Sequence, residues 1–479
     1  MLLKCNEASY KVGTSIDASI VRKKQMEWRI KMKKVQTHKM TVSVDEHSSH
    51  LEQFKAFYKQ LDDQGKTIEK LPRETIEDYQ LKAVNATLAH VWDNNEYYRS
   101  RLEEAGFTEP KLDSLEQLAS VPMLKKDVIR GDKEKILCVD PKEIGQVHLT
   151  SGTSGKPIYT AYTLADQYVY DLLPKYLELF KETEDDVAAI ALPYEFALPG
   201  LGFQRLFQFA FGTAVLSLGK GGYMAPVDKS LELMKEYQAT VLATTPSYAA
   251  LLVEESEKYG IKIGEDIRMK KIWLTGEGCS STFRERLEKW WGCEVSFFYG
   301  STECGVIGVE CSKHNGYHIM EGHVKVEIID PESGEVLPHG KTGELVVTTL
   351  LREGMPMVRY RTGDLGVLQK SKCDCGLTMD VLQLRGRMEH MLRIGEADYS
   401  PFMLEHFLME LPEVGLWYHF KMNQGELTIE AEKFKTEMSD DQLAEKIKQH
   451  MADRIGINCE VVIRDDIPRT FGKAQRVFT

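Results

Sequence analysis

At residues 150–157 the chain reads Thr150-Ser151-Gly152-Thr153-Ser154-Gly155-Lys156-Pro157. The two glycines let the backbone approach a ligand closely, the hydroxyls and backbone N–H groups offer donors, and the lysine adds a positive charge. That combination suits a polyphosphate. It is not a Walker loop, whose glycines stand further apart. Taken alone, the segment is equally compatible with an ordinary Ser/Thr/Gly surface turn.

Short apolar runs alternate with amphipathic stretches on the C-terminal side of this loop. The runs predict strands, with helices between them, at residues 187–192, 213–218, 239–243, 271–274 and 294–298. Such alternation favours an α/β fold with parallel pairing. From about residue 51 up to the loop, apolar residues recur at the spacing of a helix.

The pattern changes after residue 324 and again after Arg387. Alternating or apolar runs between Gly and Pro residues predict antiparallel strands on a smaller sheet or barrel at residues 324–329, 343–349 and 364–368. A small α+β domain follows. Its helices are predicted at residues 401–410 and 440–454, and its strands at 417–421, 427–431 and 459–464. We therefore divide the chain into an extension at residues 1–50, a large domain at 51–387 and a small domain at 388–479.

The chain has 479 residues, a net charge of -12 and nine cysteines. The acidic balance argues against a nucleic-acid-binding protein, and no apolar run reaches the ~18–20 residues that span a bilayer. The first residues lack the pattern of a secretory signal, and the scattered cysteines fit reduced thiols. We expect a cytoplasmic protein with neither a nucleic-acid nor a membrane partner.

Residues 1–40 are rich in lysine and arginine. Such charge runs are usually solvated leaders. We prefer that interpretation to a docking arm for a partner or an acidic surface.

Further segments match one family in the family's own order. They read Tyr299-Gly300-Ser301-Thr302-Glu303, Tyr360-Arg361-Thr362-Gly363-Asp364-Leu365, Gly386-Arg387 followed by Ile394-Gly395, and Pro468-Arg469-Thr470-Phe471-Gly472-Lys473-Ala474-Gln475-Arg476-Val477. Together with the loop they resemble the motifs of the adenylate-forming superfamily, which includes acyl-CoA synthetases, peptide-synthetase adenylation domains and luciferases. Coincidence is a poor explanation for five motifs in the same order as in the family.

Within that superfamily the chain most resembles phenylacetate-CoA ligases and their relatives. The shared features are Val121-Pro122-Met123-Leu124-Lys125-Lys126-Asp127, Cys373-Asp374-Cys375-Gly376 and Tyr399-Ser400-Pro401. The resemblance covers residues 51–479. It implies a large α/β domain of parallel or mixed sheets with a small β subdomain, which binds ATP and the acid. It also implies a mobile α+β lid at the C-terminus.

The resemblance implies a reaction in two halves. A substrate carboxylate attacks the α-phosphorus of ATP and pyrophosphate leaves; a thiol, that of coenzyme A, then displaces AMP to give a thioester. The protein would mainly position the reactants and neutralise developing charge. ATP, magnesium, coenzyme A and a small, aromatic carboxylic acid are the ligands expected.

The resemblance assigns three residues to the adenylation step. Glu303 is the candidate magnesium ligand, because a hard cation on phosphate oxygens calls for a carboxylate. Thr302 would contact the α-phosphate through its hydroxyl. Lys473 is the predicted catalytic lysine, since a mobile ammonium can bridge the substrate carboxylate and the α-phosphate. A surface acid and a solvated tail lysine are the plain alternatives for Glu303 and Lys473.

The nucleotide is assigned to a larger set. Asp364 would accept hydrogen bonds from both ribose hydroxyls, Arg387 would reach the ribose or a phosphate, and Lys156 would clamp the leaving pyrophosphate. Tyr299 would stack on adenine, unless it is a core tyrosine. The remaining nucleotide positions are predicted to be Thr150, Ser151, Gly152, Thr153, Ser154, Gly155, Gly276, Glu277, Gly300 and Ser301.

The acid pocket is predicted to draw on aromatic and small residues at 194–200, at Phe211-Gly212 and at 245–248. The candidates are Tyr194, Phe196, Pro246 and Tyr248. Such residues suit a flat apolar acid, but they suit ordinary core packing almost as well.

Cysteine and histidine spacing points to a metal site. Cys311, His318, Cys373 and Cys375 offer the three sulfurs and one nitrogen of a tetrahedral structural zinc site. Part of the phenylacetate-CoA ligase-like family carries zinc in this arrangement. His314 could replace His318, and unmetallated thiols are the alternative.

Two positions depart from the family pattern. Glu389 stands where the hinge usually has Asp or Lys, and it can serve because the hinge needs a rotatable backbone more than a given charge. Glu396-Ala397 stands where relatives often have Val-Asn. The acceptor could therefore be a carrier protein, an amine or a cofactor that takes AMP. A catalytically inactive nucleotide-binding regulator is the alternative of another class, and a homodimer stays open.

Overall fold

A computed structural model of the protein describes residues 49–132, 134–150, 156–172, 178–423, 425–469 and 473–478. They belong to one compact unit, Val44–Thr479. Three predicted features lie outside the described residues, wholly or in part. They are residues 1–48 of the basic extension, Ser151 to Gly155 of the phosphate loop, and residues 470–472 before Lys473.

Helices cover the N-terminal part of the described chain and recur between the strands. They are α1 (Ser49–Asp63), α2 (Arg73–Asn94), α3 (Glu96–Glu104), α4 (Lys126–Ile129), α5 (Leu164–Leu172), α6 (Leu198–Arg205), α7 (Val227–Glu236), α8 (Pro246–Lys258), α9 (Ser281–Trp291), α10 (Pro401–Leu408) and α11 (Asp440–Ile455). Single turns of 3₁₀-helix lie at Ile68–Lys70, Pro141–Glu143 and Met388–His390, with a longer one at Leu115–Ser120 and a π turn at Leu206–Ala210. None of the described helices is both long and apolar enough to cross a membrane.

Among the described residues, the strands fall into one large sheet and three small ones. The large sheet holds β3 (Val187–Ala191), β4 (Ala214–Ser217), β5 (Val241–Thr244), β6 (Lys271–Leu274), β7 (Glu294–Ser301), β8 (Gly305–Glu310), β9 (Tyr317–Ile319), β10 (Val324–Ile329), β11 (Thr342–Thr349), β12 (Tyr360–Gln369) and β13 (Val381–Arg387). The others are β1 (Ile144–Leu149) with β2 (Tyr159–Thr163), β14 (Leu392–Ile394) with β15 (Ala397–Tyr399), and β16 (Val414–Asn423), β17 (Glu426–Lys433), β18 (Cys459–Arg464) and β19 (Val477–Phe478).

The large sheet joins two regions that the sequence suggested were separate. Its order is β10-β11-β12-β13-β9-β8-β7-β6-β5-β3-β4 in the described chain. Strands β3 to β7 pair in parallel, as predicted. The antiparallel strands after residue 324 do not form a sheet of their own, which corrects the interpretation of residues 324–369. The reason is β7, which pairs in parallel with β6 through residues 294–297 and antiparallel with β8 through residues 298–301.

Both faces of the parallel part of the sheet are covered. In β3, Ala188 and Ile190 belong to the core on one face, while Ala189 and Ala191 belong to the core on the other. The first core takes in α1 and α2, and the second takes in α7, α8 and α9. A strand buried on both sides reads as a continuous apolar run rather than an alternating one. That is why residues 187–192 could be identified as a strand from sequence.

The C-terminal part is a small α+β domain, as predicted. Its sheet has the order β18-β17-β16-β19, and α11 packs on it. Ser439 and Gln442 form a capping box that begins α11, and Gly456 ends it in the left-handed conformation. The predicted α/β class, with a large domain and a small C-terminal one, is confirmed.

The C-terminal part packs against the second core. Leu404, Leu408 and Trp417 belong to the same buried cluster as Phe283 and Leu287 of α9. The guanidinium of Arg286 donates from Nη2 to the carbonyl of Val414 at 2.6 Å. This contact between the C-terminal part and the second core brings C-terminal residues to the site described next.

Candidate active site

The carboxyl ends of three parallel strands bring the predicted nucleotide motifs together. Strands β5, β6 and β7 pair in register, so the residues that follow them emerge at one edge of the sheet. Those residues include Thr245, Gly276, Glu277 and the turn after Ser301. Open parallel sheets bind ligands at this edge.

Asp364 connects the motif that ends β7 with the end of β13. It is 9% exposed, and its Oδ2 accepts a hydrogen bond from the Tyr299 hydroxyl at 2.7 Å. Its Oδ1 accepts from Nε of the half-exposed Arg387 at 3.1 Å. Burial alone would lower the pKa of Arg387, but Asp364 and its neighbours outweigh burial and raise that pKa. The predicted ribose ligand, adenine-stacking residue and hinge arginine thus lie in direct contact.

Glu303 is held from two sides. It is 5% exposed, and its Oε1 accepts a hydrogen bond from the Tyr360 hydroxyl at 3.1 Å. Its backbone carbonyl accepts from the fully buried Arg352. These features fit the predicted magnesium ligand.

The turn that carries Thr302 and Glu303 has almost no free space. A Cβ added to Gly300 would stand 2.3 Å from the carbonyl oxygen of Gly305. The Ser301 hydroxyl accepts from the backbone N–H of Cys304 at 3.0 Å, and the Thr302 carbonyl accepts from the Tyr162 hydroxyl at 2.9 Å. Gly300 and Ser301 therefore shape the turn, whatever contact they also make with a nucleotide.

Lys473 reaches this group from the C-terminal domain. Although the residue is exposed, the protein atoms near its ammonium and, after them, the positive charge of Arg387 lower its pKa. Glu277, Glu303 and Asp364 act in the opposite direction. The residue after Lys473, Ala474, donates its N–H to Glu277 at 3.1 Å, so the Lys473 segment lies beside the predicted nucleotide residues, while the catalytic role of Lys473 stays a prediction.

Glu277 has partners that the sequence did not suggest. Its side chain is 7% exposed, and its Oε1 lies 3.3 Å from Nζ of Lys220, whose side chain is 4% exposed. The Ser247 hydroxyl donates to Oε1 at 2.8 Å and the Ser247 N–H donates to Oε2 at 3.2 Å. The backbone N–H of Ala474 donates to Oε1 at 3.1 Å. Gly276 beside it has a φ of 82°, which favours glycine.

Only the two ends of the phosphate loop are described. The Thr150 hydroxyl accepts from the N–H of Ile158 at 3.0 Å, and so closes the base of the loop on the β1–β2 hairpin. A Cβ on Gly131 would meet the Lys156 side chain at 3.0 Å, so this lysine runs along the Gly131 backbone. The contacts predicted for Ser151, Gly152, Thr153, Ser154 and Gly155 lie outside the described residues.

The predicted acid-pocket residues do not form one cluster. Tyr194 packs against the first core, while Tyr248 is fully buried in the second. Phe196 is 74% exposed, and its carbonyl accepts from the N–H of Leu149 at 2.9 Å. Pro246 is the first residue of α8, which Thr245 caps. Tyr248 thus packs as a core residue, and the assignment of these four residues to an acid pocket stays a prediction.

The four predicted zinc ligands lie together. One donor atom from each of Cys311, His318, Cys373 and Cys375 falls within 4.8 Å of all the others. The sulfurs of Cys311 and Cys373 are 3.6 Å apart, and the Cys375 sulfur lies 3.3 Å from Nε2 of His318. Two sulfurs on one tetrahedral zinc stand about 3.8 Å apart, so the residues fit this metal.

His314 is not part of that cluster. Its ring nitrogens lie 3.2 Å from Glu310 and 3.6 Å from Glu288. His314 belongs to a local group with these two acids, and His318 is the histidine that faces the three cysteines.

The hinge position and three supporting residues complete the site. Glu389 lies in the 3₁₀ turn Met388–His390 between β13 and β14, 3.7 Å from Arg387. Lys220, Arg352 and Tyr360 were not assigned from sequence. Tyr360 begins a recognised motif and could have been found there; a buried lysine or arginine carries no sign in sequence of the partner it meets.

Comparison with known families assigns most of the chain. Residues 60–350 match the AMP-binding enzyme family, and residues 399–479 match the AMP-binding enzyme C-terminal domain. The chain belongs to the AMP-binding enzyme family.

Two curated relatives and one solved structure are similar over most of their length. The chain is 31% identical over 449 residues to a phenylacetate-coenzyme A ligase of Thermus thermophilus, a match that covers 86% of this chain and 98% of the relative. It is 27% identical to a phenylacetate-coenzyme A ligase of Escherichia coli, covering 86% and 96%. The resemblance stated from sequence is confirmed.

The solved structure is a 2-hydroxyisobutyryl-CoA ligase. In its postadenylation state it superimposes with a TM-score of 0.79 at 20% identity, covering 85% of this chain and 90% of that one. In its thioesterification state the TM-score is 0.63 at 22% identity, with the same coverage. This likeness supports the fold.

Proposed function

We propose that this chain is an AMP-forming acid–CoA ligase. It joins a carboxylic acid to AMP, releases pyrophosphate, and passes the acyl group to coenzyme A. The observation that carries the proposal is the docking of the Lys473 segment: the next residue, Ala474, donates its N–H to Glu277 at 3.1 Å, and Lys473 comes within electrostatic reach of Glu303 and Asp364. The motifs that contain Glu303, Asp364 and Lys473 are far apart in sequence, and they can act on one ATP molecule only if the fold brings them together.

The residues divide the adenylation work by their chemistry. Asp364 accepts hydrogen bonds from the ribose hydroxyls after Tyr299 and Arg387 release its carboxylate oxygens. The ring of Tyr299 stacks on the adenine. Lys473 donates to the carboxylate and the α-phosphate as charge moves between them. Glu303 would hold the magnesium ion, which supplies Lewis-acid polarisation of the phosphates.

The substrate and acceptor follow from the relatives. The two curated relatives described above are phenylacetate-coenzyme A ligases, which supports an aromatic acid and coenzyme A here. A carrier-protein acceptor is the second candidate. A shorter match supports it, at 29% identity over 209 residues, to a D-alanine–D-alanyl carrier protein ligase of Listeria monocytogenes.

We propose that the C-terminal part, residues 388–479, is a lid that turns about Arg387 and Glu389 between the two half-reactions. Glu389 is exposed and sits in a short turn with few packing restraints. The zinc held by Cys311, His318, Cys373 and Cys375 would fix the β12–β13 connection to the start of β9. It would thereby stiffen β13, the strand that leads into the hinge.

The test is pyrophosphate release with a panel of aryl, indolyl and short aliphatic acids, followed by mass spectrometry of the products with and without coenzyme A. We expect an aryl acid to rank first and its CoA thioester to appear. Lys473→Ala should lower acid-dependent pyrophosphate release by about three orders of magnitude, as loss of a key electrostatic group does. The matched control is Lys448→Ala, which removes an exposed lysine of the same domain.

Three outcomes would count against the proposal. Normal turnover by Lys473→Ala would remove the role of that residue. Pyrophosphate release without acylation of coenzyme A by any active acid would favour the carrier protein or another acceptor. A chain that binds ATP but releases no pyrophosphate with any acid would be the inactive regulator.

A further inference from the structure

A buried ion pair stands where the lid meets the large domain. Lys220, which follows β4, and Glu277, which follows β6, approach to 3.3 Å with side chains 4% and 7% exposed. Burying two charges is unfavourable unless they are paired and their remaining hydrogen-bonding capacity is used. A pair at this position therefore calls for an explanation beyond general stability.

The bonds around Glu277 come from both domains. Lys220 and Ser247 belong to the large domain, and they donate to the carboxylate through an ammonium, a hydroxyl and a backbone N–H. The fourth donor is the N–H of Ala474, from the C-terminal domain. Ala474 is the residue after Lys473, so this bond fixes the backbone from which the lysine side chain projects.

The residues that follow Glu277 in sequence also contact the C-terminal domain. A Cβ on Gly278 would stand 1.6 Å from the ring of Phe402 in α10, and the N–H of Ser280 donates to Glu405 of α10. The segment from Glu277 to Ser280 is thus a continuous docking edge for the C-terminal domain. Glu277 is the member of that edge closest to Lys473.

We propose that Glu277 and Lys220 are positioning residues that latch the Lys473 segment in place for adenylation. This inference rests on the proposed ligase function and the turning lid. The latch acts through Ala474 and not through contact with the nucleotide. When the lid turns away, Ala474 leaves Glu277, and Lys220 with Ser247 still satisfies the carboxylate in the large domain.

The latch has a consequence that a merely structural ion pair lacks. Only the first half-reaction needs Lys473 in the site, so loss of the latch slows adenylation and spares thioester formation. Burial lowers the pKa of Lys220, and repulsion from the nearby Lys473 adds to that effect. The carboxylate between them offsets that repulsion while the segment is docked.

The experiment separates the half-reactions in the full-length enzyme. Adenylation is measured as ATP–pyrophosphate exchange with phenylacetate, and thioester formation as acylation of coenzyme A by synthetic phenylacetyl adenylate. Glu277→Ala should lower kcat of exchange by about 10- to 100-fold, the size expected for a lost hydrogen bond to a charged group. Its rate of thioester formation should stay within about twofold of wild type.

Two further variants test the mechanism. The pair Lys220→Met with Glu277→Gln is neutral and keeps an acceptor for Ala474, so exchange should recover to within about fivefold of wild type. Lys271→Met is the matched control, because it removes a lysine from another Lys–Glu pair, with Glu294, at the opposite end of the parallel strands. It should leave the ratio of the two half-reactions unchanged.

The outcomes distinguish this inference from the proposed function. No exchange by the wild type with phenylacetate or any acid of the panel would reject the ligase function itself. With an active wild type, three results overturn the latch. These are equal loss of both half-reactions in Glu277→Ala, exchange within twofold of wild type, or a higher KM for ATP at unchanged kcat. The last result would assign Glu277 to the nucleotide.

Discussion

Replacing Gly300 by alanine should disable adenylation although it adds only one methyl group. The added Cβ would stand 2.3 Å from the Gly305 carbonyl oxygen, 3.2 Å from its carbonyl carbon and 3.3 Å from Cα of Val306. These are backbone atoms of the adjoining strand β8, so no side chain can rotate to make room. To reach an ordinary contact of about 3.3 Å, the turn or the strand must shift by about 1 Å.

That shift falls on the residues that we predict to hold the metal and the α-phosphate. Thr302 and Glu303 occupy the turn between Gly300 and Gly305, and Glu303 is bonded to Tyr360 and Arg352 on the far side. Misplacing a catalytic group by about 1 Å can lower a rate by about 100-fold. We expect Gly300→Ala to lower the single-turnover rate of pyrophosphate release by that amount. Overpacking should also lower the free energy of unfolding by about 1–3 kcal/mol.

The assay is rapid-quench pyrophosphate release, with denaturant unfolding measured in parallel. Gly222→Ala is the matched control, because a Cβ there meets nothing within 4 Å and its φ is not in the left-handed region. The control should behave as wild type in both measurements. Activity of Gly300→Ala within threefold of wild type would refute the argument that the close approach to Gly305 positions the turn.

Three other predictions concern single groups of the site. Tyr360→Phe removes the one described donor to the Glu303 carboxylate and should lower adenylation by about 10-fold, together with a changed magnesium dependence in the same assay. Because surrounding protein and Arg387 lower the pKa of Lys473, adenylation should fall as pH rises through a value below the usual 10.5 for lysine. Arg387→Gln removes the positive charge that helps to lower the pKa of Lys473, so the loss of adenylation at alkaline pH should move to higher pH. If the pH of this loss does not move, Lys473 is not the group that causes it. Elemental analysis should find about one zinc per chain, and none in Cys373→Ser, whose Tm should also fall.

Local patterns were sufficient for most of the fold. The parallel strands were identified because strands buried on both faces read as apolar runs, and β6 and β18 were predicted with their observed bounds. The helix α11 was predicted to within a residue, and the structure shows a capping box at its start and a left-handed glycine at its end. The continuity of the large sheet was not predictable, since it depends on β7 exposing a second edge to β8 rather than on the composition of either strand.

The candidate site was predictable where it lies in motifs and not where it lies in contacts. Tyr299, Asp364 and Arg387 were found individually, and the structure adds that they touch. Lys220 could not be found, because it stands 57 residues from Glu277 in sequence and a lysine between glycines reads as a loop residue. The bond from Ala474 to Glu277 spans 197 residues. This hydrogen bond forms only when the C-terminal domain is docked on the large domain.

The charges of the site indicate what should happen when the lid turns. Among the described residues, Glu277, Glu303 and Asp364 face Lys220, Arg387 and Lys473. If the proposed lid carries Lys473 away, Glu277, Glu303 and Asp364 all lose its positive charge. Glu277 keeps Lys220 at 3.3 Å and Asp364 keeps Arg387 at 3.1 Å, and Arg387 still acts on Glu303 from further away. Three carboxylates would then face two cations, an excess of one negative charge that a magnesium ion at Glu303 would offset.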